Sequence, residues 1–332
     1  MIASIFGLLR KHVVMNDYHD ISRYRSELMG WAIVWVMMLH FTFIQLKPLG
    51  FVAQYGIIGV DIFLFVSGYG LFFALEKGSS LRSFYRRRFM RIFPAYYIIG
   101  AFYSFFVFND GIIDYLFRYT TLGFWTDSLY CEWYIPSLVL LYLLSPCLKA
   151  LFDKKGWAVI LSLAVIAIYL VAYLLVDREI IYEKEPHFFL LYRIPAFLFG
   201  MACAYWQKRR ASISLFYIIM LIGIPFFLLF FPRHHAIYNY KYLSLAFLLP
   251  FFVCSLILIS KIAKPLNGIM AQVGKASLEI YLIQGIFFYA IVHQLITIPV
   301  AWHDAVTIGL IVLCTALGIL AHHLLDKYLP RY

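Results

Sequence analysis

Charged residues are scarce in this chain: Asp, Glu, Lys and Arg make up 14% of its 332 residues, whereas apolar residues make up 64%. The mean hydropathy of +0.83 is far above that of soluble domains. A soluble chain of this length would form one or two cores, and there is too little polar surface here to cover them. The composition therefore excludes an ordinary soluble protein and predicts an all-α polytopic membrane protein.

Cysteine is also scarce, and the chain lacks internal repeats and low-complexity runs. Four of the five cysteines fall in apolar segments and Cys131 falls alone in a loop, so no disulfide framework is expected. The apolar start of the chain is followed by Arg10 and Lys11 without a small-residue cleavage site, which predicts an interfacial segment rather than a signal peptide. We expect this segment, residues 1–26, to precede a single transmembrane domain at 27–332.

Apolar runs of about 20 residues, the length that crosses a bilayer as a helix, occur throughout the chain. With the N-terminus placed inside, most of the 28 lysines and arginines fall on the cytoplasmic side, as the positive-inside rule requires. We therefore predict a bundle of about ten transmembrane helices with both termini cytoplasmic. The net charge of +11 then reflects topology and does not indicate nucleic acid binding. The predicted spans are 27–47, 51–75, 92–108, 134–151, 157–176, 187–206, 212–231, 242–260, 276–298 and 303–323.

Three predicted outer loops, at 109–132, 177–187 and 232–241, combine charged and aromatic residues. This composition suits a carbohydrate or lipid-headgroup acceptor, although solvated loops in general are also polar. The loops therefore allow an acceptor site on the outer side without requiring one.

Two ionisable residues, His40 and Asp61, lie deep within the first two predicted spans. Polar groups within a membrane span are costly and usually mark a site or pathway. The depths of the two residues differ by roughly one helical turn, so adjacent antiparallel helices could bring them together. Histidine is suited to act as a base toward a hydroxyl, and a carboxylate beside it could fix its tautomer. We predict this catalytic pair; the alternative for His40 is a structural hydrogen bond between helices.

A basic cluster that includes Arg87, Arg88 and Arg91 lies at the predicted cytoplasmic start of the third span. Arg88 and Arg91 are three residues apart and therefore share a helix face. Guanidinium groups bind phosphates bidentately, which predicts a site for a phosphorylated ligand. The alternative is that these arginines only determine topology, as basic residues at an inner membrane boundary commonly do.

Further polar residues occupy the later spans and the outer mouth. Arg193 lies within the sixth predicted span and needs a partner or a wet cavity; Asp61 or Glu279 could pair with it. Glu279 lies close enough to the inner interface for an ordinary hydrated position. Glu132 and Trp133 lie at the outer mouth, where the tryptophan is either an interfacial anchor or a stacking platform for a sugar ring.

Together these segments resemble the membrane-bound acyltransferase family 3, the bacterial O-acyltransferases that modify cell-surface glycans and other hydroxyl acceptors. The resemblance runs from about residue 24 to residue 330 and depends on the order and spacing of several motifs. These are the run from Gly30 to His40, then GVDIFLFVSGY at 59–69, RFMRIFP at 88–94, WYIP at 133–136, RIP at 193–195, and GKASLEIYLI at 274–283.

The resemblance implies roles for particular residues. His40 matches the essential histidine of the family. Arg88 and Arg91 match the paired arginines associated with the acyl-CoA donor. The ten core helices of the family agree with the span count predicted from charge placement.

The chain also departs from the family pattern. Many members have an arginine eleven residues before the histidine, where this chain has Met29. Arg25 lies one turn further toward the cytoplasm and about 60° off that helix face, so the pattern does not assign it the missing role. Gln284 stands where many members have histidine, and Asp326 stands where a glutamate is frequent.

We therefore expect an O-acyltransferase of the bacterial plasma membrane that transfers an acetyl group from cytoplasmic acetyl-CoA to a hydroxyl of a cell-surface glycan or a related acceptor. Its partners would be the acyl-CoA, the acceptor and the lipid bilayer, and no metal would be needed. Substrate contacts are expected from Arg193, Trp133, Glu132 and Tyr281. One rival interpretation is a transporter with the intramembrane charges lining a path, although no repeat halves are found. The other is a non-catalytic scaffold.

Overall fold

The computed structural model describes residues 19–41, 53, 55–78, 80–127, 133–154, 190, 193–209, 238–292 and 294–329, with only the backbone for residue 19, for 238–248 and for residue 300. Every regular element in this part of the chain is a helix. In chain order the α-helices are α1 His19–Arg23, α2 Arg25–Phe41, α3 Ile57–Glu76, α4 Leu81–Tyr103, α5 Ile112–Tyr119, α6 Leu122–Asp127, α7 Tyr134–Asp153, α8 Ile194–Lys208, α9 Tyr238–Ile262, α10 Lys264–Lys275, α11 Ser277–Val292 and α12 His303–Tyr328. A π-helical turn, Ser104–Phe108, continues α4, and a short 3₁₀ turn, Val300–Trp302, precedes α12.

Four of these helices are long and apolar enough to cross a membrane: α3, α4 with its π-helical continuation, α7 and α12. The pair α10 and α11 passes the same test together but is bent by 71°, which allows a fifth crossing. The predicted all-helical, multi-span class is therefore confirmed. The count of ten spans and the cytoplasmic termini stay predictions, because the expected spans at 157–176 and 212–231 lie outside the described residues.

Helix α3 is at the centre of the described bundle, where it packs against α2, α7, α8 and α9. Its contact with α8 depends on two glycines. A Cβ on Gly68 would collide with the backbone of Phe197, and a Cβ on Gly200 would collide with the backbone of Phe65. Small residues let helix backbones approach closely in a membrane bundle, so these two positions set the spacing of α3 and α8.

Helix α10 lies across the first half of α2 in an equally close contact. A Cβ on Gly30 would collide with the Met270 carbonyl, and a Cβ on Gly274 would collide with the Ser26 carbonyl. Beyond the bend, α11 packs against α2, α4 and α12. Because of the bend, α10 lies beside the start of α11, and the rest of α11 lies within the bundle.

Candidate active site

A cavity opens at the end of the bundle where α2 and α4 begin, the end that we predict to be cytoplasmic. Its walls come from α2, α3, α4, α7 and α11, and it encloses about 710 Å³ of empty space when its open mouth is included. The lining residues that matter for chemistry are Arg25, Arg88, Arg91, Tyr134, Tyr142, Ser277 and Tyr281.

The two arginines predicted to share a helix face do share this cavity. Arg88 and Arg91 both line it, and the Arg88 guanidinium lies 5.8 Å from the centre of the Phe84 ring. Arg87 is exposed outside the cavity lining, and its Nη1 donates to Ser83 Oγ at 2.6 Å. The structure therefore brings together two of the three predicted donor-site arginines.

Arg91 is held by the end of α10 and the start of α11. Its Nη1 donates to Glu279 Oε1 at 2.8 Å, and its Nη2 donates to the Lys275 carbonyl at 2.5 Å. Glu279 Oε1 also lies 3.3 Å from His322 Nδ1, and His322 Nε2 lies 3.3 Å from Asp326 Oδ2. This chain of contacts joins α4, α11 and α12 beside the cavity.

The hydrated position predicted for Glu279 is wrong, because its side chain is fully buried. The prediction treated the start of α11 as a membrane boundary. In the structure the bend places α10 next to that boundary, and α4 and α12 pack on either side. Glu279 is therefore an internal partner of Arg91 rather than a surface carboxylate.

His40 lies on the last turn of the described part of α2 and contacts α11. Its Nδ1 is 3.0 Å from Gln284 Oε1, and its ring centre is 4.7 Å from that of Phe288. Gln284 is buried. An amide beside the imidazole can fix the position of the ring and, through its oxygen, the tautomer.

The structure does not bring Asp61 to His40. Asp61 Oδ1 lies 2.7 Å from Arg193 Nη1, and both side chains are buried. This ion pair resolves the choice left open for Arg193 in favour of Asp61. The expected histidine–aspartate pair is corrected to a histidine–glutamine pair, because α11, rather than α3, presents the polar group that faces the imidazole.

Arg193 has further contacts near the mouth predicted to face outward. Its Nη1 also donates to the Ile57 carbonyl at 3.3 Å, and its guanidinium lies 5.3 Å from the centre of the Trp133 ring. Trp133 thus contacts another predicted site residue, and its role as an interfacial anchor stays a prediction. Glu132 lies outside the described residues.

Tyr281 is the cavity-lining residue of α11 that lies nearest in sequence to Gln284, the partner of His40. It lines the cavity and its ring centre is 5.2 Å from that of Tyr134. Gln284, the partner of His40, follows Tyr281 by three residues on the same helix, a rise of about 4.5 Å. A ligand in the cavity is therefore about one helical turn of α11 away from the imidazole contact.

Sequence reasoning did not assign Arg25 or His322 to the site. Arg25 lies off the helix face of His40, and it reaches the site through its place in the cavity wall, which periodicity within α2 does not reveal. His322 follows Gly318 by one turn of α12, and Gly318 packs tightly against Ile280 of α11.

In the part of the chain that the structure describes, no group of three or more His, Cys, Asp or Glu residues could hold a metal ion.

The chain is similar to known proteins over most of its length. Residues 28–322 match the model of a protein family that is described as an acyltransferase domain. The chain is also similar to "Putative acetyltransferase ORF330" of Acidianus two-tailed virus, with 24% identity over 227 residues, which is 64% of this chain and 68% of the viral protein. No solved structure matches the chain.

Proposed function

The chain belongs to acyltransferase family 3, and we propose that it is an integral membrane O-acyltransferase that transfers an acetyl group from acetyl-CoA to a hydroxyl acceptor. The observation that carries this proposal is the cavity shared by Arg88 and Arg91, which reaches to within one helical turn of the His40 contact on α11. A site of this kind holds phosphates at one end and has a base near the other. The acetyltransferase name of the viral relative supports acetyl as the group transferred.

Arg88 and Arg91 would bind the phosphates of the donor. The two guanidiniums offer charge-assisted, bidentate contacts to phosphate oxygens. Tyr134 and Tyr281 form part of the less polar wall beyond them, which suits the pantetheine arm and the thioester.

His40 would act as the general base. In this proposal Nδ1–H donates to Gln284 Oε1, which leaves the lone pair on Nε2 free to accept a proton. Nε2 takes the proton of the acceptor hydroxyl while the hydroxyl oxygen attacks the thioester carbonyl. The new C–O bond forms, the C–S bond breaks, and the CoA thiolate takes the proton from the imidazolium. The products are the ester and free CoA.

Asp61 would act indirectly, by holding Arg193. Their ion pair fixes the guanidinium beside Trp133, and we assign this group to acceptor binding at the outer mouth together with Glu132. A sugar ring can stack on tryptophan while an arginine donates to its hydroxyls. The polar and aromatic outer loops support a glycan acceptor reached from outside the plasma membrane of a bacterial cell.

The transporter interpretation has less support. The charges that it would place along a path form close pairs in the structure, Asp61 with Arg193 and Arg91 with Glu279. Paired charges do not themselves need a transported ion to offset the cost of burial.

The test is consumption of acetyl-CoA by the purified protein in lipid nanodiscs, followed by detection of the ester that a deletion strain lacks. His40→Gln keeps a polar side chain but removes the base, and we expect the transfer rate to fall by about 10²- to 10⁴-fold while acetyl-CoA still binds. His323→Gln, at an exposed histidine of α12, is the matched control and should transfer normally. Transfer by His40→Gln at the wild-type rate would remove His40 from the mechanism.

A further inference from the structure

Arg25 is a third arginine of the cavity, and it lies just before the family match, which begins at residue 28. It is the first residue of α2, and its side chain is open to solvent, so a ligand in the cavity can reach it. The guanidinium lies against α3 at Gly70, where a Cβ would stand 3.4 Å from Arg25 Nη2. A Cβ at that distance would make an ordinary contact, so the guanidinium packs on the surface of α3 at this position.

The charge balance at this end of the cavity is positive. The lining includes Arg25, Arg88 and Arg91 but no acidic residue. Glu279 pairs with Arg91, and among the described residues no carboxylate forms an ion pair with either of the other two arginines. Arg88 and Arg91 are close enough to Arg25 for their positive charges to lower its pKa. A guanidinium remains protonated despite such a shift, so two positive charges here have no carboxylate partner among the residues that the structure describes.

We propose that Arg25 binds a phosphate group of the acyl-CoA together with Arg88 and Arg91. This inference depends on the proposed function and adds a residue that the sequence pattern did not assign. Met29 lines the same cavity one helical turn further along α2, so Arg25 supplies from the mouth of the cavity the positive charge that Met29 does not carry.

The polarity of the cavity supports a phosphate ligand. Phosphate groups carry negative charge and several acceptor oxygens, which match clustered guanidiniums. Acyl-CoA carries its phosphates at one end and its thioester at the other. The three arginines lie near the mouth of the cavity, and Tyr281 and the Gln284–His40 contact follow further along α11 and α2, in that same order.

The test compares two ligands on the full chain in nanodiscs. For Arg25→Gln we expect the affinity for CoA to fall roughly ten- to a hundredfold, the range for one charge-assisted contact. The affinity for acetyl-pantetheine, which carries no phosphate, should not change. Arg25→Lys keeps the charge but loses the bidentate geometry, so its affinity for CoA should lie between those of the wild type and Arg25→Gln. Arg23→Gln is the matched control, because Arg23 is exposed on the preceding turn outside the cavity lining.

Moving the charge by one turn provides a rescue experiment. In the double variant Arg25→Gln/Met29→Arg, we expect CoA to bind more tightly than to Arg25→Gln alone, because position 29 lines the same cavity. This gain distinguishes a charge role from a packing role. An unchanged CoA affinity in Arg25→Gln, an equal loss for both ligands, or a double variant that binds no better would each overturn the proposal.

A further arm separates this inference from the proposed function. If the wild type binds inorganic pyrophosphate but not CoA, and Arg25→Gln weakens pyrophosphate binding, the phosphate site is supported and the donor assignment fails. If the wild type binds neither ligand, both proposals fail.

Discussion

Two arginine sites in this bundle differ in how their charge is balanced. Arg193 is buried and forms an ion pair with Asp61, so its charge is neutralised within the protein. Arg88 lies in an open cavity, where no carboxylate among the described residues forms an ion pair with it. The comparison indicates that the charge of Arg193 is balanced within the protein, whereas the charge of Arg88 is available to an anionic ligand. Disrupting the first site should therefore change the stability of the protein, and disrupting the second should change the affinity for the ligand.

The largest effect on stability is expected from breaking the buried pair. Asp61→Ala leaves the Arg193 charge buried without its carboxylate, which costs roughly 3–5 kcal/mol of unfolding free energy. The measurement is unfolding of the purified protein in detergent. The control is Asp153→Ala at an exposed pair with Lys149, where about 0–1 kcal/mol is expected.

A compensating variant sharpens this test. Asp61→Leu combined with Arg193→Leu removes both charges and should be more stable than Asp61→Ala. If Asp61→Ala unfolds like the wild type, the pair is not structural and the comparison with the cavity fails.

Removing the cavity arginine should affect binding rather than stability. Arg88→Ala is expected to lower the affinity for CoA about ten- to a hundredfold, because one charge-assisted contact is lost, while the unfolding midpoint stays near that of the wild type. Equilibrium binding and thermal unfolding measure the two effects separately. Arg82→Ala, at an exposed position on the first turn of the same helix, is the control. A stability loss as large as that of Asp61→Ala would place Arg88 with the structural arginines.

A smaller effect is expected where no charge is removed. Gln284→Leu deletes the amide beside His40 Nδ1, so the imidazole loses the group that orients it. One neutral hydrogen bond corresponds to about 1 kcal/mol, and we expect kcat to fall roughly five- to tenfold with the affinity for CoA unchanged. Gln272→Leu at an exposed site on α10 is the control. A loss confined to CoA binding would assign Gln284 to the donor site instead.

The smallest perturbation is expected from cysteine substitutions that test the membrane topology. Single cysteines at positions 127 and 154, in a background without the native cysteines, should react with impermeant reagents from opposite faces of the membrane, with 154 labelled from the cytoplasm. This follows from the placement of lysine and arginine along the chain. Labelling of both positions from one side would contradict the ten-span topology and the cytoplasmic assignment of the cavity.

Several site features were predictable from local geometry alone. Arg88 and Arg91 share the cavity because residues three apart on a helix face the same side. The need of Arg193 for a partner was also predictable, since an isolated charge within a span is costly. The identity of that partner was not, because Asp61 and Glu279 were equally open to it and only helix packing distinguishes them.

The sequence by itself determined that this is a helical membrane protein, because so apolar a chain cannot cover its cores with polar surface and because span length follows from the helix rise. Its motifs also indicated the acyltransferase family, which the match over residues 28–322 confirms. Only the tertiary structure decided that Gln284 rather than Asp61 contacts His40, that Glu279 is buried, and that Arg25 enters the cavity. The physical reason is that helical periodicity relates residues within one helix, whereas the rotation, depth and bending of helices against one another depend on contacts between distant parts of the chain.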